Sequence, residues 1–170
     1  MKKAVCCTIV AVAAVGAGVA AYADAVLVPA PPGAPLLLEA TADGVQIYAC
    51  EAQGQGFAWV FKGPEANLFD KQGRQVGTHF GGPTWKAIDG TTVVGEVATK
   101  ADAPVAGAIP WLLLRAKSHE GTGALTKVAF IRRAETKGGA APGAGCDASH
   151  RAEEARMRYS ALYQFFGAAK

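Results

Sequence analysis

Apolar and polar positions alternate along most of this chain with a period of two, in short runs broken by glycine, proline or aspartate. In Val45-Gln46-Ile47-Tyr48-Ala49-Cys50, residues Val45, Ile47 and Ala49 share one face, and Gln46, Tyr48 and Cys50 share the other. Phe57, Trp59 and Phe61 repeat in the same way, as do Tyr159, Ala161, Tyr163 and Phe165 at the end of the chain. Side chains that recur at every second residue line one face of a strand, whereas a helix requires a spacing near 3.6. Strands are therefore predicted over 36–40, 45–50, 57–62, 66–70, 74–80, 84–87, 92–98, 111–118 and 124–134, with a final strand through Phe165. Asp43-Gly44, Asp70-Lys71-Gln72-Gly73 and Asp89-Gly90 read as turns. Gly81-Gly82-Pro83 interrupts the pattern where a regular ladder cannot continue. The glycine-rich stretch 136–148 reads as a long loop, followed by a short helical turn over 150–157 with Ser149 as its cap. No long amphipathic helix and no internal repeat is present. The expected fold class is all-β: a single-domain antiparallel β-sandwich or barrel with long Gly/Pro loops.

The two ends of the sequence depart from this pattern. Met1-Lys2-Lys3 followed by an uncharged run of small apolar residues and then Ala21-Tyr22-Ala23 has the layout of a secretory signal peptide over 1–23. Mature protein would then begin at Asp24, with a Pro-rich extended segment over 24–35 and the domain over 36–170. No later stretch is apolar enough to span a bilayer, so the expected location is periplasmic or extracellular. Export leaves Cys50 and Cys146 as the only pair in an oxidising compartment, and they are expected to form one disulfide. Closing so long a loop stabilises by about 4–5 kcal/mol on the chain-entropy account.

Composition narrows the class further. Of 170 residues, 51% are hydrophobic and 18% charged, which excludes disorder. The formal charge is +3, but without Lys2 and Lys3 it is 15 basic against 14 acidic residues. A near-neutral domain without a basic run is a poor nucleic-acid binder, and no nucleic-acid partner is expected.

Several motifs occur here in order: Gly44-Val45-Gln46-Ile47-Tyr48-Ala49-Cys50, Trp59-Val60-Phe61, Gly81-Gly82-Pro83-Thr84-Trp85 and Asp89-Gly90. They continue as Ile109-Pro110-Trp111-Leu112-Leu113-Leu114, Gly138-Gly139, Ala141-Pro142 and Cys146-Asp147. This set closely resembles a secreted bacterial and fungal family catalogued as a domain of unknown function, number thirty-four fifty-five, over nearly the whole mature chain. The resemblance implies no activity and supplies no catalytic residues. The family's last strand usually reads Val-Pro-Tyr-x-Ala-Asp-Tyr. Here it is Met157-Arg158-Tyr159-Ser160-Ala161-Leu162-Tyr163, so no role of that proline or aspartate carries over. Some fungal relatives bear a malate dehydrogenase label. No strand–GxGxxG–helix unit for a dinucleotide is found in this chain, so that reading is rejected and no cofactor is expected.

The search for chemistry assigns no catalytic residue. Ser118 and His119 are neighbours on one predicted strand and point to opposite faces, which prevents direct nucleophile–base pairing. His79, His119 and His150 lack metal-ligand spacing, and no metal site is assigned. Asp70 and Asp89 are explained as turn residues. The candidate ligand-binding residues are His79, Trp85 and Lys86, which a Gly-Gly-Pro bend would lift onto one rim suited to a carbohydrate or other small polar ligand. Trp59 and Trp111 are expected in the core, Trp111 because Leu112 to Leu114 follow it, while Trp85 fits either core or ligand contact. The leading functional expectation is a non-catalytic ligand-binding or envelope-interaction module. Its rivals are an exported hydrolase with a carboxylate/His site near His79 and a purely structural surface protein.

Overall fold

The computed structural model describes residues 27–169. The expected signal peptide over 1–23 lies outside the described residues, as does the start of the Pro-rich segment. Eight strands follow in chain order: β1 (Leu36–Gln53), β2 (Gly56–Phe69), β3 (Gln75–Phe80), β4 (Thr84–Ala87), β5 (Thr92–Ala101), β6 (Trp111–Glu120), β7 (Phe130–Gly138) and β8 (Glu154–Phe166). Each pairs antiparallel with the next, and β8 returns to pair with β1, so the sheet closes into an up-and-down barrel. Of the two expected architectures, the barrel is the one formed. Closure leaves no unpaired sheet edge.

Four predicted strands are in fact two. The runs 36–40 and 45–50 are one strand, β1, and 57–62 and 66–70 are one strand, β2. Asp43-Gly44 is not a turn. Gly44 faces Ala66 across the β1–β2 ladder, and a Cβ there would press on the carbonyl oxygen of Glu65. The glycine is a point of close backbone approach inside a strand, a use that looks like a hairpin signal in sequence. The two strands pass a bulge between Ile47 and Tyr48, which bends the hairpin they form.

Two other expectations are corrected. Residues 124–127 form a turn, not the beginning of a strand, and β7 starts at Phe130 and runs on to Gly138. The helical turn expected over 150–157 is a single 3-10 turn at Ala148–His150, capped by Asp147 and not by Ser149. Glu154 already opens β8. Asp147 accepts hydrogen bonds from the backbone nitrogen and hydroxyl of Ser149 and from His150 Nδ1, so one carboxylate organises the whole turn.

The up-and-down order puts the β1–β2, β3–β4, β5–β6 and β7–β8 connections at one end, the mouth. The other three connections lie at the opposite end, which is closed. Asp89 fastens that closed end: Oδ1 accepts from the Thr91 backbone and hydroxyl, and Oδ2 accepts from the Ala124 backbone. The loop so held inserts Leu125 and Val128 into the barrel, both buried. Trp85, Leu114, Ile131 and Phe165 fill the interior next to them. Val28, ahead of β1, is fully buried, and its carbonyl accepts from Arg132 Nε, so the Pro-rich segment is packed on the barrel wall.

Cys50 and Cys146 form a disulfide, with Cα atoms 5.3 Å apart. It joins the upper part of β1 to the β7–β8 loop, and Trp59 Nε1 donates to Ala144 O in the same loop at 3.0 Å. Trp59 therefore packs against the loop outside the core. Trp111 is likewise outside the core cluster, with the Arg132 guanidinium 5.5 Å over its ring. Of the apolar run after it, only Leu114 is fully shielded. The expectation that both tryptophans belong to the core is corrected. An apolar run on a barrel strand has an outer face as well as an inner one, and half of this run looks outward.

Candidate binding cavity in the barrel mouth

Eight-stranded barrels are either filled by side chains or hold one small ligand. This one does both. Its closed half is packed, while the mouth half keeps a cavity of about 440 Å³. The inward positions there are small or polar. Gln46 and Tyr48 come from β1, Gly63 and Pro64 from β2, His79 from β3 and Arg133 from β7. Phe61, Val97 and Leu112 give the opening an apolar lip. Val97 and Phe61 are each about half exposed, at 50% and 51%.

The buried part of the cavity wall is polar: Gln46 and His79 line it and are each 2% exposed, and behind them Tyr159 and Tyr163, which do not line the cavity, are at most 3% exposed. His79 Nδ1 donates to Thr84 O at 2.8 Å, which makes Nε2 the acceptor of the ring. The ring stacks on Trp85 with centroids 4.4 Å apart, and Tyr163 meets both rings edge-on. Tyr48 donates its hydroxyl to Gly139 O at 2.7 Å. Gly139 itself has φ +84, and a Cβ there would come within 2.8 Å of Tyr159 Cβ and 3.0 Å of Gln46 Cγ. The β7–β8 loop therefore approaches the floor at a position only glycine fits.

Among the described residues, Gln46 Nε2, Tyr159 OH, Tyr163 OH and Trp85 Nε1 of this interior have no partner in hydrogen-bond geometry. Gln46, Tyr159, Tyr163 and Arg133 adjoin one another, yet none of their contacts has the distance and angle of a real bond to those atoms. An unpaired buried polar group costs about 1–3 kcal/mol, and native interiors hold few of them. Burial pushes the Tyr159 and Tyr163 phenols well above their ordinary range, so both stay protonated. Burial, with a further contribution from the Arg133 charge, lowers the His79 imidazole from 6.5 to about 3. The hydrogen bond to Thr84 O opposes that shift without reversing it. His79 is therefore neutral.

Of the three residues singled out in the sequence, the fold brings two together. His79 and Trp85 face each other across the β3–β4 pair inside the barrel. Trp85 is 1% exposed and belongs to the core, forming the layer under His79. Lys86 is exposed on the outer surface beside Thr78 and Ile88, away from the cavity. Consecutive strand residues point to opposite faces, so Trp85 and Lys86 cannot share a rim. Gly81-Gly82-Pro83 makes the β3–β4 turn, and Gly82 and Pro83 line the mouth.

The other chemistry-bearing residues are dispersed. On β6, His119 Nε2 donates to Val128 O at 2.8 Å, and His150 sits in the 3-10 turn with Asp147. No cluster of three or more His, Cys, Asp or Glu side chains suited to a metal occurs among the described residues, so the three histidines do not converge. Asp70 takes the Gln72 and Arg74 backbone nitrogens, as a turn residue does. Sequence reasoning missed Gln46, Tyr48, Arg133, Tyr159 and Tyr163. The available signal was the face shared by Gln46, Tyr48 and Cys50, the polar face of β1, which turns out to be the inner one.

Comparison with known proteins adds a family and no activity. No curated protein and no solved structure gave a match. The family described as "Protein of unknown function (DUF3455)" matches residues 31–167, and the chain belongs to that family.

Proposed function

We propose that the protein is an exported, non-catalytic ligand-binding module that takes one small molecule into the mouth of its barrel. The observation that carries this is a polar-lined cavity on which the buried Gln46 Nε2 opens without a partner among the described residues, with the equally unpartnered Tyr159 and Tyr163 hydroxyls packed behind it. A core built only for stability places apolar side chains at such positions, because orphaned polar groups weaken it. A bound molecule that accepts from Gln46 offsets part of that cost, and the apolar lip shields it from water. The cavity lining offers no serine, cysteine or carboxylate beside His79. His79 itself is held neutral with Nδ1 committed to Thr84 O, which favours binding over the hydrolase alternative. Export rests on the signal-peptide pattern of 1–23, and the disulfide fits an oxidising compartment.

The test is a fluorescence titration with the neutral apolar probe N-phenyl-1-naphthylamine. One saturable site per chain is expected. Leu112→Trp, which fills the cavity, should weaken binding at least tenfold. Ile88→Ser, on the outer surface at 81% exposure, should leave it unchanged. Absence of saturable binding, or binding indifferent to Leu112→Trp, would refute the proposal.

A further inference from the structure

Resting on that binding reading, we infer that the ligand is an amphipathic monoanion, an apolar body carrying a carboxylate that Arg133 receives inside the barrel mouth. Arg133 is half-buried on β7, opposite Tyr163 on β8 and Leu112 on β6. Its Nε donates to Pro110 O at 3.0 Å, and its Nη atoms, beside the Tyr163 hydroxyl, make no hydrogen bond of good geometry among the described residues. It makes no salt bridge among the described residues, whereas Arg74, Arg156 and Arg158 on the outer surface all pair with carboxylates. Those surface pairs need little explanation, since exposed charges are solvated with or without a partner. A half-buried guanidinium is different, because removal from water is costly until an anion replaces the lost hydration.

The surroundings select the sign and shape of the ligand. Cations on the cavity wall are Arg133, Lys62 and Lys100, and no carboxylate lines it. Lys62 is engaged by Glu51, while Lys100 forms no salt bridge among the described residues. Gln46 Nε2, which lines the cavity without a partner among the described residues, is a donor as well. Donors and positive charge without a negative group complement an acceptor-rich anion. Because Arg133 is the one cation held half-buried among apolar residues, the site suits a single carboxylate better than a multiply charged phosphate. A planar guanidinium offers a carboxylate paired donors. Phe61, Val97 and Leu112 at the lip then cover the ligand's apolar part. The volume of about 440 Å³ admits a body of two fused rings or a short alkyl chain.

The experiment compares 2-naphthoate with 2-naphthamide, which differ in charge and hardly in shape, by calorimetric titration of the mature protein and of Arg133→Gln. Wild type should bind the naphthoate at least tenfold more tightly. Arg133→Gln should remove that preference by weakening the naphthoate, with the naphthamide affinity retained. Raising salt from about 0.05 to about 0.5 M should weaken only the naphthoate, and this arm decides the matter if Arg133→Gln fails to fold. Equal affinities in wild type, a preference that survives in folded Arg133→Gln, or salt-independent naphthoate binding would overturn the anion assignment. If N-phenyl-1-naphthylamine binds and neither naphthalene compound does, the ligand class is wrong while the binding site stands. If nothing binds, including the neutral probe, the binding reading fails as well.

Discussion

The buried imidazole of His79 should make the barrel sensitive to mild acid. Folding moves the ring from water to a site where it is 2% exposed, stacked on Trp85 and near the Arg133 charge. Burial disfavours the charged form, and the pKa falls from 6.5 to about 3. Below about pH 6.5 the unfolded chain therefore binds a proton that the folded chain refuses until about pH 3. A group depressed on folding contributes stability that is complete above its unfolded pKa and is lost as pH falls through the window between the two values. At pH 5 the unfolded imidazole is about 1.5 units below its pKa, and at about 1.4 kcal/mol per unit the loss is about 2 kcal/mol. Any folded pKa below about 4 gives the same figure, so the magnitude depends on His79 being buried and neutral and little on how far it is shifted. The assay is urea unfolding between pH 7 and pH 5 for wild type and His79→Gln. His79→Gln lowers absolute stability by losing the Trp85 stack, but its stability should fall with acid by about 2 kcal/mol less than that of wild type. Parallel pH profiles for the two proteins would refute the reasoning, as would a His79 imidazole that titrates near 6.5 in NMR spectra of the folded protein.

Three further outcomes follow from the same geometry. Trp85→Ala should cost about 3–5 kcal/mol, as removal of a core aromatic does. In a Trp59→Phe/Trp111→Phe background, Trp85 emission should also resist quenching by iodide. Mass-spectrometric thiol labelling of protein purified without reductant should leave Cys50 and Cys146 unmodified, and their reduction should lower stability by about 4–5 kcal/mol. Intact mass of the exported protein should correspond to a chain starting at Asp24, and material that keeps residues 1–23 would contradict the signal-peptide assignment.

The all-β class was legible because alternation with a period of two survives over 45–50, 57–61 and 159–165, which lie in β1, β2 and β8. Boundaries failed where a residue served a purpose that mimics a turn. Gly44 and the Gly63-Pro64 pair sit inside strands at a close approach and beside a bulge. The disulfide was legible because, with 1–23 read as a signal peptide, two cysteines remain with a single possible pairing. The site was half legible. A Gly-Gly-Pro turn flagged His79 and Trp85, and both are in the right part of the molecule, but Lys86 is one residue out of phase with the interior. The larger omission was the polar inner wall. Alternation tells which residues share a face and not which face is inside. In β1 the face bearing Gln46, Tyr48 and Cys50 is the buried one. A barrel whose inner wall carries polar side chains breaks the usual equation of polar with outward, and the shared face of Gln46, Tyr48 and Cys50 does not by itself say on which side of the wall it lies. Arg133 was hidden for a related reason: beside Arg132 it reads as half of a basic pair, yet the two point to opposite sides of the wall.

The most direct test of a ligand site in the barrel mouth is a chemical-shift map of isotope-labelled protein titrated with 2-naphthoate and, separately, with 2-naphthamide. At least one of the two should shift the amides of Tyr48, His79, Arg133 and Gly139, which surround the cavity. The amides of Gln72 and Ile88, at the closed end, should stay in place. Shifts scattered over the outer surface, shifts centred on the closed end, or no shifts with either compound and none with N-phenyl-1-naphthylamine would contradict a binding site in the mouth.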